Sequence, residues 1–69
     1  MMEFKDQLKK VRLERGMSQK TLAYTAGLPP SAISHFEIGK RRPRLENLIK
    51  IADALCISID YLLGRGRDE

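Results

Sequence analysis

Gln19-Lys20-Thr21-Leu22-Ala23-Tyr24-Thr25-Ala26-Gly27-Leu28-Pro29-Pro30-Ser31-Ala32-Ile33-Ser34-His35-Phe36-Glu37-Ile38 contains two short apolar-periodic segments on either side of a glycine. Leu22 and Ala23 give the first segment an inward side. Ile33 and Phe36, three apart, do the same for the second. Ser18, just before the stretch, suits an N-cap, its hydroxyl accepting a backbone N–H two or three residues on. Gly27 ends the first helix after barely two turns, supplying a backbone conformation that other residues reach only at a cost. Pro30 suits a first helical position, where its missing N–H would be unpaired anyway. The expectation is a helix over Gln19–Ala26, a tight turn and a second helix over about 30–37, ended by Gly39. The small side chain of Ala23 lets the two helices cross closely. With Ile33 and Phe36 turned in, Ser31, Ser34 and His35 face out from a rigid rod, a shape that fits a DNA major groove.

The same period continues to either side. Phe4, Leu8 and Val11 form one stripe of a helix that Gly16 ends in the left-handed conformation. Leu45, Leu48, Ile49, Ala52 and Leu55 give a further helix one broad apolar face. Ser58 caps a short last helix over 59–63, ended by Gly64, and 65–69 is a polar tail. No stretch alternates as a strand would. The fold class expected is all-α: five short helices in one domain covering 1–69, with its core over about 4–64.

A chain of 69 residues buries only about 60% of the surface it exposes when unfolded, so its core is thin. Cys56 is the single cysteine and His35 the single histidine, so neither an internal disulfide nor a structural zinc site is available. Self-association is the remaining support for so small a core. The 13 Lys and Arg outnumber the 9 Asp and Glu, which suggests a polyanionic partner. Four of those cations, Lys40, Arg41, Arg42 and Arg44, fall within residues 40–44. No apolar run approaches the ~20 residues that cross a bilayer. Glu3, Lys5 and Asp6 stand where a signal peptide would be apolar. A cytoplasmic, nucleoid-associated protein with no membrane partner is the expectation. There are no paired carboxylates in a pocket-like setting, no nucleophile–His arrangement, no glycine-rich phosphate loop and no metal cluster, so the chain does not read as an enzyme and calls for no cofactor.

Leu8, Arg12, Gly16-Met17-Ser18-Gln19, Leu22-Ala23, Ala26-Gly27-Leu28, Ile33 through Lys40, Pro43, Leu45, Leu48, Ile51-Ala52, Ala54-Leu55 and Asp60 through Gly64 together resemble the helix-turn-helix domains of phage repressors and Cro proteins. The likeness covers residues 4–64 and implies a lambda-repressor-like fold, with the helix-turn-helix formed by the second and third helices. It implies a DNA phosphate held at Gln19, where backbone N–H groups and the helix dipole also favour an anion. Groove contacts fall to Pro30, Ser31, Ser34 and His35, with Ser34 also a phosphate candidate. The loop with Lys40, Arg41 and Arg42 lies along the DNA backbone. Arg12 and Glu37 are implied as an ion pair tying the first helix to the end of the third.

Two departures stand out. Pro30 and Ser31 occupy positions where some members carry adenine-reading glutamines. Arg44 replaces the usual Ser or Thr cap of the fourth helix, and a cation there opposes the helix dipole unless a phosphate comes near. Three apolar residues, Cys56, Ile57 and Ile59, crowd one short connection, and Ile57 and Ile59 are the candidate dimer contacts. The function expected is a sequence-specific regulator of transcription that binds double-stranded DNA. In this reading it is a repressor occupying a palindromic operator as a homodimer, with no small-molecule ligand. The alternative is an antitoxin or other protein-interaction module that also binds DNA.

Overall fold

The computed structural model describes residues 2–66, which form α1 (Phe4–Glu14), α2 (Gln19–Ala26), α3 (Ala32–Glu37), α4 (Leu45–Leu55) and α5 (Ile59–Leu62), with no strand among them. Residues 67–69 of the expected polar tail lie outside the described residues; Arg65 and Gly66 are exposed. α2 packs against α3 and α4, while α1 packs against α3 and α5. A single cluster fills the centre, with Leu8, Val11, Leu22, Ala23, Ile33 and Ile51 each at 0% exposure. The inward stripes read from α1, α2 and α3 are therefore the buried ones.

Local chemistry sets the helix ends. The Ser18 hydroxyl accepts the Thr21 N–H at 3.0 Å and starts α2. Gly27, at φ 71°, turns the chain out of it, and the Leu28 N–H returns to the Ala23 carbonyl at 2.8 Å. α3 begins at Ala32 rather than Pro30. Pro30 and Ser31 instead form a turn closed by the Ala32 N–H on the Pro29 carbonyl at 2.9 Å, with Pro30 at the turn position its ring prefers.

Two apolar residues of the fourth helix are placed differently from the expectation. The buried face of α4 is Ile51, Ala52 and Leu55, with Leu48 partly covered, while Leu45 and Ile49 are 66% and 43% exposed. At 3.6 residues per turn, Ile51 and Leu55 centre the inward arc away from those two. Ile57 is also corrected. It is 8% exposed and belongs to the core cluster, so it leaves little surface for a second subunit. The reason is Cys56, which takes a left-handed conformation (φ 58°) at the end of α4 and folds Ile57 back so that its N–H meets the Ala52 carbonyl. Ile59 is half-buried against the same cluster.

Gln7 and Arg12 are buried as whole residues, the Glu37 side chain is sealed as well, and no buried side-chain nitrogen or oxygen among the described residues lacks a partner. The Gln7 amide donates to the Tyr61 carbonyl at 2.8 Å, joining α1 to α5. The Arg15 guanidinium donates to the Leu55 carbonyl at 2.9 Å, joining the end of α1 to the last turn of α4.

Candidate nucleic-acid interface

α3 has a single turn and a half in which to display anything, so what holds it decides what it presents. Arg12 meets Glu37, its last residue, through two parallel bonds, Nε to Oε2 at 2.6 Å and an Nη to Oε1 at 3.0 Å. The second Nη of Arg12 donates to the Met17 carbonyl at 2.8 Å. Gln19 adds its amide to Glu37 Oε1 at 3.1 Å. The pair is nearly sealed from solvent, with the two side chains 8% and 3% exposed. Charge-assisted bidentate bonds of this kind fix geometry as well as contribute energy. One carboxylate therefore ties together α1, the start of α2 and the end of α3.

Gln19 thus has a structural partner besides the phosphate role its position implied. One amide hydrogen goes to Glu37 and the other is left for an acceptor. At the same helix end Ser18 takes the Thr21 N–H. The N–H groups of Gln19 and Lys20 lie in the first turn, where no intrahelical acceptor exists, and they remain the anion-favouring donors of α2.

With Ile33 and Phe36 buried, Ser31 is exposed and Ser34 and His35 are half-exposed on the opposite side of α3. Pro30 is exposed in the turn before it. The loop after α3 is pinned rather than loose, because the Lys40 and Arg41 N–H groups both donate to the His35 carbonyl, at 3.0 and 3.3 Å. Lys40, Arg41, Arg42 and Arg44 are all exposed, and none makes an ion pair among the described residues. Ser31, His35, Arg41, Arg42 and Arg44 share one open cleft of about 370 Å³ between α3 and the start of α4. Pro30, Ser34, Lys40 and Gln19 lie outside it.

Asn47 also lines the cleft, and sequence reading had missed it. It sits one turn into α4 from Arg44, and that spacing, with an amide able both to donate and to accept, was the available signal. Arg44 begins α4 without a side-chain cap. Its carbonyl accepts from the Asn47 and Leu48 N–H groups at 3.0 and 2.9 Å, which leaves the first N–H groups of an eleven-residue helix beside three guanidinium groups. The arrangement can neutralise phosphate oxygens along one edge while α3 presents small donors and an imidazole beyond them.

A family model described as Helix-turn-helix matches residues 8–62. The transcriptional repressor RstR of the cryptic phage CTXphi in Vibrio cholerae is 41% identical over 64 residues, which is 93% of this chain and 57% of that protein. The chain spans about half the length of the curated relatives it matches. Among solved structures, the restriction-modification controller protein C.AhdI of Aeromonas hydrophila superposes with a TM-score of 0.83 at 39% identity, over 86% of this chain and 89% of that one. The P22 c2 repressor, in a crystal structure with a synthetic operator, gives a TM-score of 0.86 at 29% identity, over 96% of this chain and 100% of that one. The chain belongs to the helix-turn-helix family, and its five helices have the fold of the phage repressor domains.

Proposed function

We propose that this protein regulates transcription by binding double-stranded DNA with α3 in the major groove, and that it represses by occupying an operator. The observation that carries the reading is the single cleft that joins the outward face of α3 to Arg41, Arg42 and Arg44. Repression needs occupancy alone, which a unit of this size can supply. The repressor among the relatives and the operator complex among the structural neighbours agree with it. Phosphate contacts fall to Gln19, Ser34, Lys40, Arg41, Arg42 and Arg44. Base edges fall to Ser31 and His35, with Pro30 packing at the groove edge. Serine discriminates bases weakly, so sequence preference rests on few contacts and on the shape of the duplex.

A homodimer on a palindromic site is part of the proposal. Twofold pairing sets two recognition helices about 34 Å apart, one turn of DNA. With Ile57 in the core, Ile59 at the α4–α5 elbow is the remaining apolar contact of the two considered. Selection from random duplexes, followed by titration over a salt series, tests the whole reading. The expected result is an inverted-repeat site whose log affinity falls with log salt at ~0.9 per phosphate contacted. Equal and weak binding to every duplex at low salt defeats it.

A further inference from the structure

A second groove, of about 700 Å³, lies beside the proposed DNA face and shares only Arg41 and Arg42 with it. Part of its lining is apolar: Phe4 and Phe36 from the core edge, Leu63 after α5, and Ile38 at the end of α3. Ile38 is 65% exposed and Met2, at the rim, 43%, so a large branched side chain stands in water at the groove. The rest of the rim is cationic, with Lys5, Arg41, Arg42 and Arg65 against the single carboxylate of Glu3. Lys5 lies across Gly39, where a Cβ would come within 3.4 Å of its side chain. None of the four cations makes an ion pair among the described residues.

The geometry points to this groove as the docking site of an acidic, amphipathic peptide segment, one that lays a bulky apolar side chain against Ile38 and carboxylates against the four cations. Charge complementarity selects that occupant. A second copy of this chain would bring like charge to the same rim, at a cost. A DNA backbone would satisfy the cations but leave Ile38 and the other apolar lining residues uncovered. An amphipathic helix reads such a surface through apolar anchors spaced three and four residues apart. Arg41 and Arg42 line both this groove and the cleft along α3. An acidic segment seated here therefore competes with DNA for the two guanidinium groups, giving the protein a release mechanism driven by a partner. The competition rests on the DNA-binding reading above; the docking does not.

The test uses a short synthetic helix-forming peptide with Leu and Phe on one face and Glu on the other, and poly-glutamate as the plain polyanion. Binding of each to the isotope-labelled chain is followed by NMR at physiological salt. The expected result is tighter binding of the amphipathic peptide, with shifts centred on Lys5, Ile38 and Leu63. Ile38→Ser and Arg65→Glu each weaken that binding about tenfold, as truncating an anchor does, and each leaves the melting temperature and DNA affinity unchanged. Poly-glutamate binding as tightly as the amphipathic peptide, or an Ile38→Ser chain binding it like wild type, overturns the docking site. Peptide bound in the groove with labelled DNA still fully held overturns the competition. A chain that binds no duplex at all defeats the proposed function instead, and leaves the peptide measurement to be read on its own.

Discussion

Replacing Arg12 by alanine would leave the Glu37 carboxylate sealed in the protein with only the Gln19 amide for company. Removing one partner of a buried pair typically costs about 3–5 kcal/mol, far more than an exposed pair contributes. Arg12→Ala is therefore expected to unfold at markedly lower urea, and a denaturation midpoint equal to wild type would show the pair to be idle. Cys56 is strained in the opposite sense. It is the one non-glycine residue with positive φ among those described, at 58°, and left-handed geometry costs an L-residue about 1–2 kcal/mol. Glycine there removes the clash at some entropic cost, so Cys56→Gly should gain about 1 kcal/mol, which for a chain of this size raises the melting temperature by about 4–8 °C. Calorimetry would read the change directly. The thiol is exposed, so its removal takes no packing from the core.

The helix ends offer a comparison between two kinds of start. Ser18 caps α2 and Ser58 caps α5, each accepting the N–H three residues on at 3.0 Å. Arg44 opens α4 with no side-chain cap and an unfavourable charge. Ser18→Ala should cost about 1 kcal/mol in thermal or chemical melts. Arg44→Ser should gain about 0.5–1 kcal/mol from the new cap while weakening DNA binding, measured by anisotropy. Affinity left intact in that variant would remove Arg44 from the phosphate contacts. Caps, glycines and apolar period are local signals, which is why α2 could be read to the residue and the inward stripe of α1 with it. The start of α3 could not, because Pro30 suits both a first helical position and a turn, and the local signals do not choose between them. The face of α4 misled for a related reason. Leu45 and Ile49 have the right spacing for a stripe, but the stripe that is covered is the one that α2 reaches. Ile57 looked surplus because only the left-handed turn at Cys56 reveals where it points.

Across the whole molecule, the proposed DNA edge is an electrostatic property of several elements at once. An Arg41→Ala, Arg42→Ala double variant should weaken binding similarly on every duplex and lower the salt slope by ~0.9 for each phosphate no longer neutralised. A weakening confined to one preferred site would instead make these residues base readers. The charge of this edge was legible in the sequence, since residues 40–44 carry four cations. The bonds that hold the helices behind it were not. Gln7 to Tyr61 and Arg15 to Leu55 join residues 54 and 40 positions apart, and no periodicity announces them.

The bond from Gln7 to the Tyr61 carbonyl spans 54 positions and fastens the first helix to the last. α5 has only four residues and too little local cooperativity to stand by itself. α1 and α5 should consequently open as one unit, with amide hydrogens of α5 exchanging at the same rate as those around Leu8 and Val11. A fastening of that kind turns a string of short helices into a closed loop, so opening of either of these helices reaches the middle only by undoing both.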